Sequence, residues 1–399
     1  MLTTAQSDKH IYLDYAATTP LDPRVREIML PYFSSEYGNP SSLYASGRKA
    51  ARAIKKARET VAQVLSCGAG EIIFTGSGTE SDNLALLGAA RAQRALGRHI
   101  IVSAIEHKAV LESASRLGRD GFEVSIIPVL SNGIIDMKLL AEALREDTIL
   151  VSIMYANNEI GTIEPISEIS TLIKKHRNGK NVPLLHTDAC QAAGFLPLNV
   201  DELGVDLMTL NGSKAYGPKG VGILYKRSGV RIEPVIVGGE QENGLRAGTQ
   251  SVPLIVGCAE ALRLSEDMRS EESARLTKLR DYFITHMSKE IPEAHLNGHP
   301  SNRLPSNAHF SFYHIEGESI LLMLDNVGIE VATGSACSAR DLRPSHVLLA
   351  LGQDAELAYG SIRFSFGRYT TREELDYVLS VLPDIIKRLS SLSALTVKL

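Results

Sequence analysis

A chain of 399 residues, 44% hydrophobic and 22% charged, has the balance of a folded protein and the length of two or three domains. This excludes a disordered chain, a collagen and a coiled coil. Lys and Arg number 42 against 46 Asp and Glu, a net charge of −4, so no global basic field draws the chain to nucleic acid or anionic lipid.

The opening residues, MLTTAQSDKH, hold no apolar signal, and no apolar run is long enough to cross a bilayer. The expectation is a cytoplasmic protein with no membrane partner and no direct nucleic-acid partner. Cations at 48, 49, 52, 55, 56 and 58 read as a solvated helix face, with a docking patch for an acidic partner as the alternative. From about residue 71, short apolar runs alternate with helical patterns. EIIFT (71–75) reads as a strand and Thr79 to Ala95 as a helix. HIIVS (99–103) is a strand, followed by a helix from about Lys108. A strand over 121–129, a helix over 136–145 and a strand over 148–154 come next. A helix near 165–176 leads to VPLLHTD (182–188), then to DLMTL and GILYK. Buried β runs alternating with helices predict a mostly parallel α/β sheet, with ligands at the carboxyl ends of its strands.

After about residue 251 the pattern changes. A long helical stretch runs to Lys289, and a loop rich in Pro, Asn and Gly leads to AHFSFYHI and further β/α alternations. The predicted division is a large α/β domain over 15–262 and a smaller α+β domain made of 1–14 and 263–399.

Three segments carry candidate chemistry. GSGTESDN (76–83) lies between strand and helix, where small residues open backbone N–H groups and the Thr79 hydroxyl to an anion. A capped helix start explains the same residues. HTDACQ (186–191) puts Asp188 at a strand end, either as an N-cap or as the partner of a cationic ligand nitrogen. NGSKAYGPKG (211–220) sets Lys214 among small residues, where a solvated surface lysine is the competing reading. A lysine, a strand-end acid and a phosphate cradle together are the parts that hold pyridoxal phosphate.

In this order the three resemble the fold-type I enzymes that use that cofactor. IYLDYAATTP (11–20), GNPSS (38–42), TESDN, EHKAV (106–110), NNEIG (157–161), SKAYGPKG, LRAGT (245–249), TGSACS (333–338) and SIRFSFGRYTT (361–371) narrow the likeness to the cysteine desulfurases. Cys337, in GSACS with a stretch up to Pro344, resembles the branch with a longer cysteine loop, to which the NifS and IscS proteins belong.

The resemblance implies L-cysteine as substrate, with alanine and an enzyme persulfide on Cys337 as products. It implies transfer of that sulfur to an acceptor protein serving iron–sulfur assembly or tRNA thiolation. Lys214 would form the Schiff base, and Asp188 would hold the pyridine nitrogen protonated. Gln191 would reach the phenolic oxygen. His107 would stack on the ring and move protons. Asn158 would approach the ring or the substrate. Gly78 and Thr79 would cradle the phosphate, completed by Thr249 from the second subunit of a homodimer. Arg363 would grip the substrate carboxylate in a bidentate fork. Read alone, Arg363 suits a structural carboxylate as well, and His107 suits a cap.

The chain departs from the family in four places. Ser213 stands where His is usual and Asn211 where Ser is common, so Ser213 and Asn211 enter as substitute phosphate groups. Tyr44 replaces His, and Glu240 and Asn243 replace Gly and Arg. Cys67, Cys190 and Cys258 read as structural. With no C-x-x-C, no metal is expected. The competing functions are another fold-type I enzyme, such as a selenocysteine lyase or an aminotransferase, and an inactive scaffold that binds a sulfur carrier.

Overall fold

The computed structural model describes residues 10–334 and 344–396. Strand β1 (Ile11–Tyr12) opens the described chain. Strands β2 (Ile72–Thr75), β3 (His99–Ser103), β4 (Glu123–Ile127), β5 (Thr148–Ser152), β6 (Leu184–Asp188), β7 (Leu207–Asn211) and β8 (Gly222–Lys226) form one seven-stranded sheet in the order β2-β8-β7-β6-β5-β3-β4. Only β8 runs against its two neighbours; the other pairings are parallel.

Side-chain alternation explains the layering. Ile101, Val151, Leu185 and Met208 enter a core on one face, with the helices Ala45–Leu65, Ile166–Arg177 and Val252–Asp267. Ile100, Val102, Leu150, Leu184 and Leu207 enter a second core on the other face, with Leu84–Ala90 and Val110–Leu117. Successive strand residues point to opposite faces, so a strand covered on both sides is buried throughout, its apolar residues filling both cores and polar ones such as His186 and Thr209 bonded to each other.

A third core joins Ile11 and Leu13 to residues between Leu276 and Ile386, around Phe283, Phe310, Phe312, Phe364 and Phe366. It is built on β9 (His295–Leu296), β10 (Asn307–Ser311) and β12 (Ser361–Ser365), which form an antiparallel sheet, while β11 (Ile329–Glu330) pairs in parallel with β1.

Two local readings change. The helix expected over 79–95 starts at Gly78 and passes through a π-helical turn at Leu84–Gly88 before ending at Ala92. The stretch expected to run unbroken to Lys289 is two helices, Val252–Asp267 and Arg269–Glu290, meeting at Met268. The basic run is the solvated helix face expected, with Arg48, Lys49, Arg52, Lys55 and Lys56 exposed, and some of its cations find local partners. Lys49 pairs with Glu36 at 2.6 Å, Arg58 pairs with Glu242 at 2.7 Å, and Arg48 donates to the Leu43 carbonyl.

Glu164 offers a test of this packing. It is buried behind β5, with Oε2 accepting from Ile135 N at 3.0 Å and Oε1 unpartnered. Burial pushes its carboxyl up to about 8. The folded chain therefore holds this proton more tightly than the unfolded chain, and stability is lost as pH rises from the ordinary glutamate range through about 8. Glu164→Gln should match wild type in acid and exceed it above that window by several kcal/mol, at about 1.4 kcal/mol per pH unit. Thermal unfolding across a pH series measures it.

Candidate active site

The carboxyl ends of the parallel strands converge on one cavity of about 420 Å³. β6 ends in Asp188, whose Oδ1 accepts from Cys190 N at 2.9 Å, which fixes the turn after the strand. β7 ends in Asn211, and a single tight turn carries the chain to Lys214. After β2, Ser77 caps the following helix by accepting from Glu80 N, so Gly78 and Thr79 open onto the cavity. The chain leaving β3 brings His107, and the chain leaving β5 brings Met154, Ala156 and Asn158. Arg363, from β12 of the three-stranded sheet, and Ala16 and Ala17 complete the wall.

Lys214 Nζ donates to the Ala16 carbonyl at 2.9 Å and to the Ala17 carbonyl. Gln191 Nε2 donates to the same Ala16 oxygen at 3.0 Å. Both side chains are thus steered by the segment 16–17. Asn211 Oδ1 accepts from Ser213 N and from Ser213 Oγ, each at 2.9 Å. With the oxygen taken twice, the amide nitrogen is the end left to donate. His107 caps the helix Lys108–Arg119, its Nδ1 accepting from Ala109 N at 3.1 Å. The neutral ring then carries its proton on Nε2.

Arg363 is almost fully buried. Its Nη2 donates to Asp14 Oδ1 at 2.7 Å and its Nη1 to the Asn158 carbonyl at 2.8 Å, while Nε has no partner. The structural carboxylate weighed for it therefore exists. It occupies one nitrogen of the fork, and the arginine still lines the cavity.

Nine of the expected residues share this cavity: Gly78, Thr79, His107, Asn158, Asp188, Gln191, Asn211, Lys214 and Arg363. Ser213 is not in its wall; its hydroxyl is spent on Asn211. Thr249 is exposed and also outside the wall, in a loop tied to the Gly78 helix by Arg246 and Glu80 at 2.8 Å. Cys337 lies outside the described residues. Its described neighbours Gly334 and Ser345 both stand against Glu159, Ser345 Oγ donating to Glu159 Oε2 at 2.5 Å.

Sequence reasoning missed four wall residues, Asp82, Glu159, Cys190 and His346, and the buried Glu106 behind them. Burial pushes Glu159 up to about 7 and Glu106 well above the carboxylate range. It also holds the Cys190 thiol well above its ordinary value, and raises Cys67 and Cys258 to about 12. All three cysteines are therefore thiols at neutral pH. Acidic residues inside TESDN, EHKAV and NNEIG were the available signal, but their burial is a tertiary fact.

Residues 11–378 match the model of the family described as aminotransferase class-V. The chain belongs to the class-V aminotransferase family. It is 52% identical over 385 residues to the cysteine desulfurase IscS of Dictyoglomus turgidum, covering 96% of each chain. It is 43% identical over 388 residues to a human cysteine desulfurase, covering 96% of this chain and 83% of that one. A solved NifS-like protein superposes with a TM-score of 0.89 at 40% identity, covering 95% of this chain and all of the other. The α/β architecture with a mostly parallel sheet is that of the fold-type I enzymes of this family.

The family's cofactor is pyridoxal phosphate, and the cavity suits it. A primary amine, Lys214, and a buried carboxylate, Asp188, face the same space. A Cβ at Gly78 would come within 2.9 Å of Cys190 Sγ, so the backbone there is bare by necessity, with Asn211 Nδ2 beside it as a donor.

Proposed function

We propose that this chain, a pyridoxal-phosphate-dependent cysteine desulfurase, takes sulfur from L-cysteine onto Cys337 and delivers it to an acceptor protein. The observation that carries the reading is the meeting of Lys214, Asp188 and Arg363 in one cavity at the strand ends. No member of that set is diagnostic alone. The other fold-type I activities and the inactive scaffold weighed above are not favoured, since the named relatives are cysteine desulfurases over nearly the whole chain.

When bound, the cofactor supplies an electron sink. Lys214 offers its amine to it, and Asp188 supplies the negative charge that meets the ring nitrogen. Thr79, the Gly78 backbone and the Asn211 amide are donors for the phosphate; Ser213 acts through Asn211. Gln191, turned by Ala16, would reach the phenolic oxygen. His107 would stack on the ring, with its Nε2 proton available for exchange with the substrate. Asn158 and Arg363 hold the substrate carboxylate. The Cys337 thiolate attacks the substrate sulfur. A sulfur–sulfur bond forms, the carbon–sulfur pair stays with carbon, and carbon takes up a proton to give alanine.

The reading includes a homodimer in which Thr249 serves the neighbouring phosphate site, and a division into a large domain over 15–262 and a small one from 1–14 and 263–399. It also includes a cytoplasmic setting and an acceptor in iron–sulfur assembly or tRNA thiolation. Among the described residues no helix is long and apolar enough to cross a membrane. Light scattering should give the mass of a dimer, and Thr249→Ala should loosen the cofactor by about tenfold, the worth of one hydrogen bond to a charged group. A strict monomer contradicts the shared site.

The direct test is incubation of the purified, loaded protein with L-cysteine and a reductant. Alanine and sulfide should appear in equal amounts. Amino transfer to a keto acid in their place would overturn the reading. Arg363→Lys should raise KM for cysteine by about ten- to a hundredfold, because an ammonium cannot serve Asp14, the Asn158 carbonyl and a substrate carboxylate in one plane. Steady-state kinetics beside the cofactor spectrum checks this. Loss of the cofactor in place of a raised KM would make Arg363 structural.

A further inference from the structure

Asp82 stands in the wall of the cofactor cavity, one turn into the helix that starts at Gly78, and is 1% exposed. Its Oδ1 has no hydrogen-bond partner. Several groups face it. Asp188 and His186 come from β6, the Thr209 hydroxyl from β7, and Glu106 and His107 from the turn before the helix Lys108–Arg119. Cys190 and Lys214 lie in the same wall.

Asp82, His107 and Asp188 each bring a side-chain atom within 4.8 Å of the others. Two carboxylates that close in a dry site cannot both be ionised. The question is which one keeps the charge.

None of the neighbouring rings balances a charge on Asp82. His186 is wholly buried, its ring between Ser152 Oγ at 2.8 Å and Thr209 Oγ1 at 3.1 Å, and burial pushes it down to about 4. It stays neutral, and its Nε2 lies 3.7 Å from Asp82 Oδ1, beyond hydrogen-bond reach. His107 accepts at Nδ1 and is neutral in this geometry. Lys214 Nζ is held on the Ala16 and Ala17 carbonyls. An ionised Asp82 would thus carry a charged oxygen that is both dry and unpaired, which costs several kcal/mol. Asp188 by contrast accepts a backbone N–H.

We propose that Asp82 keeps its proton and is a neutral positioning residue, which leaves Asp188 as the one carboxylate of the pair. The pair then holds a single negative charge, and Asp82 fixes where it resides. Burial and the charges of Asp188 and Glu106 push the Asp82 carboxyl well above its ordinary range, in the same direction as the geometry, and outweigh the Thr209 hydroxyl, which favours the charged form. The inference rests on the reading of Asp188 as the partner of the ring nitrogen.

The experiment is infrared spectroscopy of the loaded enzyme at neutral pH, with and without carboxyl-labelled aspartate. Wild type should show a protonated-acid carbonyl band that shifts with the label. The band should vanish in Asp82→Asn and, as a second variant, in Asp82→Ser. Asp82→Asn copies a neutral acid in shape and charge, so it should hold the cofactor within about twofold of wild type and keep its absorbance across pH. Absence of a labelled acid band in wild type overturns the proposal without any variant. A band that survives both substitutions also overturns it. So does a tenfold or greater loss of cofactor in a folded Asp82→Asn, which would mean that a charge had been removed. Failure of the Asp188 reading shows elsewhere, as Asp188→Asn that keeps cofactor and turnover; the Asp82 band does not depend on that result.

Discussion

Lys214→Ala and Lys214→Arg are both expected to lose turnover by about a thousandfold or more, since each removes the group that engages the cofactor. The pair of variants separates two roles that the geometry combines. Lys214 Nζ pins the segment 16–17 by donating to two of its carbonyls, and that segment also receives Gln191. Lys214→Arg keeps a cation for those carbonyls but cannot form a borohydride-reducible link. If Lys214 were only a pin, Lys214→Arg would retain activity and Lys214→Ala would lose mainly stability. The expected result is the opposite. Both variants fail in turnover, Lys214→Arg unfolds close to wild type, and borohydride followed by peptide mapping finds the cofactor fixed on Lys214 in wild type and on neither variant.

The path of the sheet was legible because its signal is local. β3 and β5 are buried on both faces and read as apolar runs between polar ends, and β6 (LLHTD) is buried throughout although only its first two residues are apolar. Asp188 and Asn211 were legible for a related reason, since a polar residue that ends such a run stands at a strand end, where parallel sheets bind ligands. What the sequence hid is of two kinds. Helix interruptions inside an otherwise helical pattern leave little mark. Met268 joins two helices while itself in right-handed helical backbone, and the π turn at Leu84–Gly88 is wholly apolar. Pairings across long separations are also silent. Arg363 finds Asp14, 349 positions away, and Glu242 finds Arg58 and Phe74 N. Asp82, Glu106 and Glu159 look like helix and turn surface in sequence. Their burial comes from tertiary packing, which sequence does not display.

Cys337→Ala should keep the cofactor and still bind cysteine, yet lose persulfide formation and catalytic alanine release. The argument begins with the other cysteines. Cys67 and Cys258 are held as thiols by burial, at about 12, far from the pH at which a thiolate is available. Cys190 lies in the cavity wall, but burial and the Asp188 charge hold its thiol well above its ordinary range. A nucleophile that accepts sulfur must be a thiolate at neutral pH, and these three are not. Cys337 differs in its sequence setting, among Gly334, Ser335, Ala336, Ser338 and Ala339, with Arg340 and Arg343 near to favour the anion. The described chain on either side of it stands at the cavity, through Gly334 beside Glu159 and through His346 in the wall. A brief pulse of cysteine, alkylation and peptide mapping should find the added sulfur on Cys337. In Cys337→Ala the same pulse should perturb the cofactor absorbance, which shows that substrate still enters, and leave no sulfur on any cysteine. Sulfur recovered mainly from Cys190 would instead mean that substrate binding lowers the one wall thiol enough to ionise it, and the role assigned to Cys337 would pass to that residue.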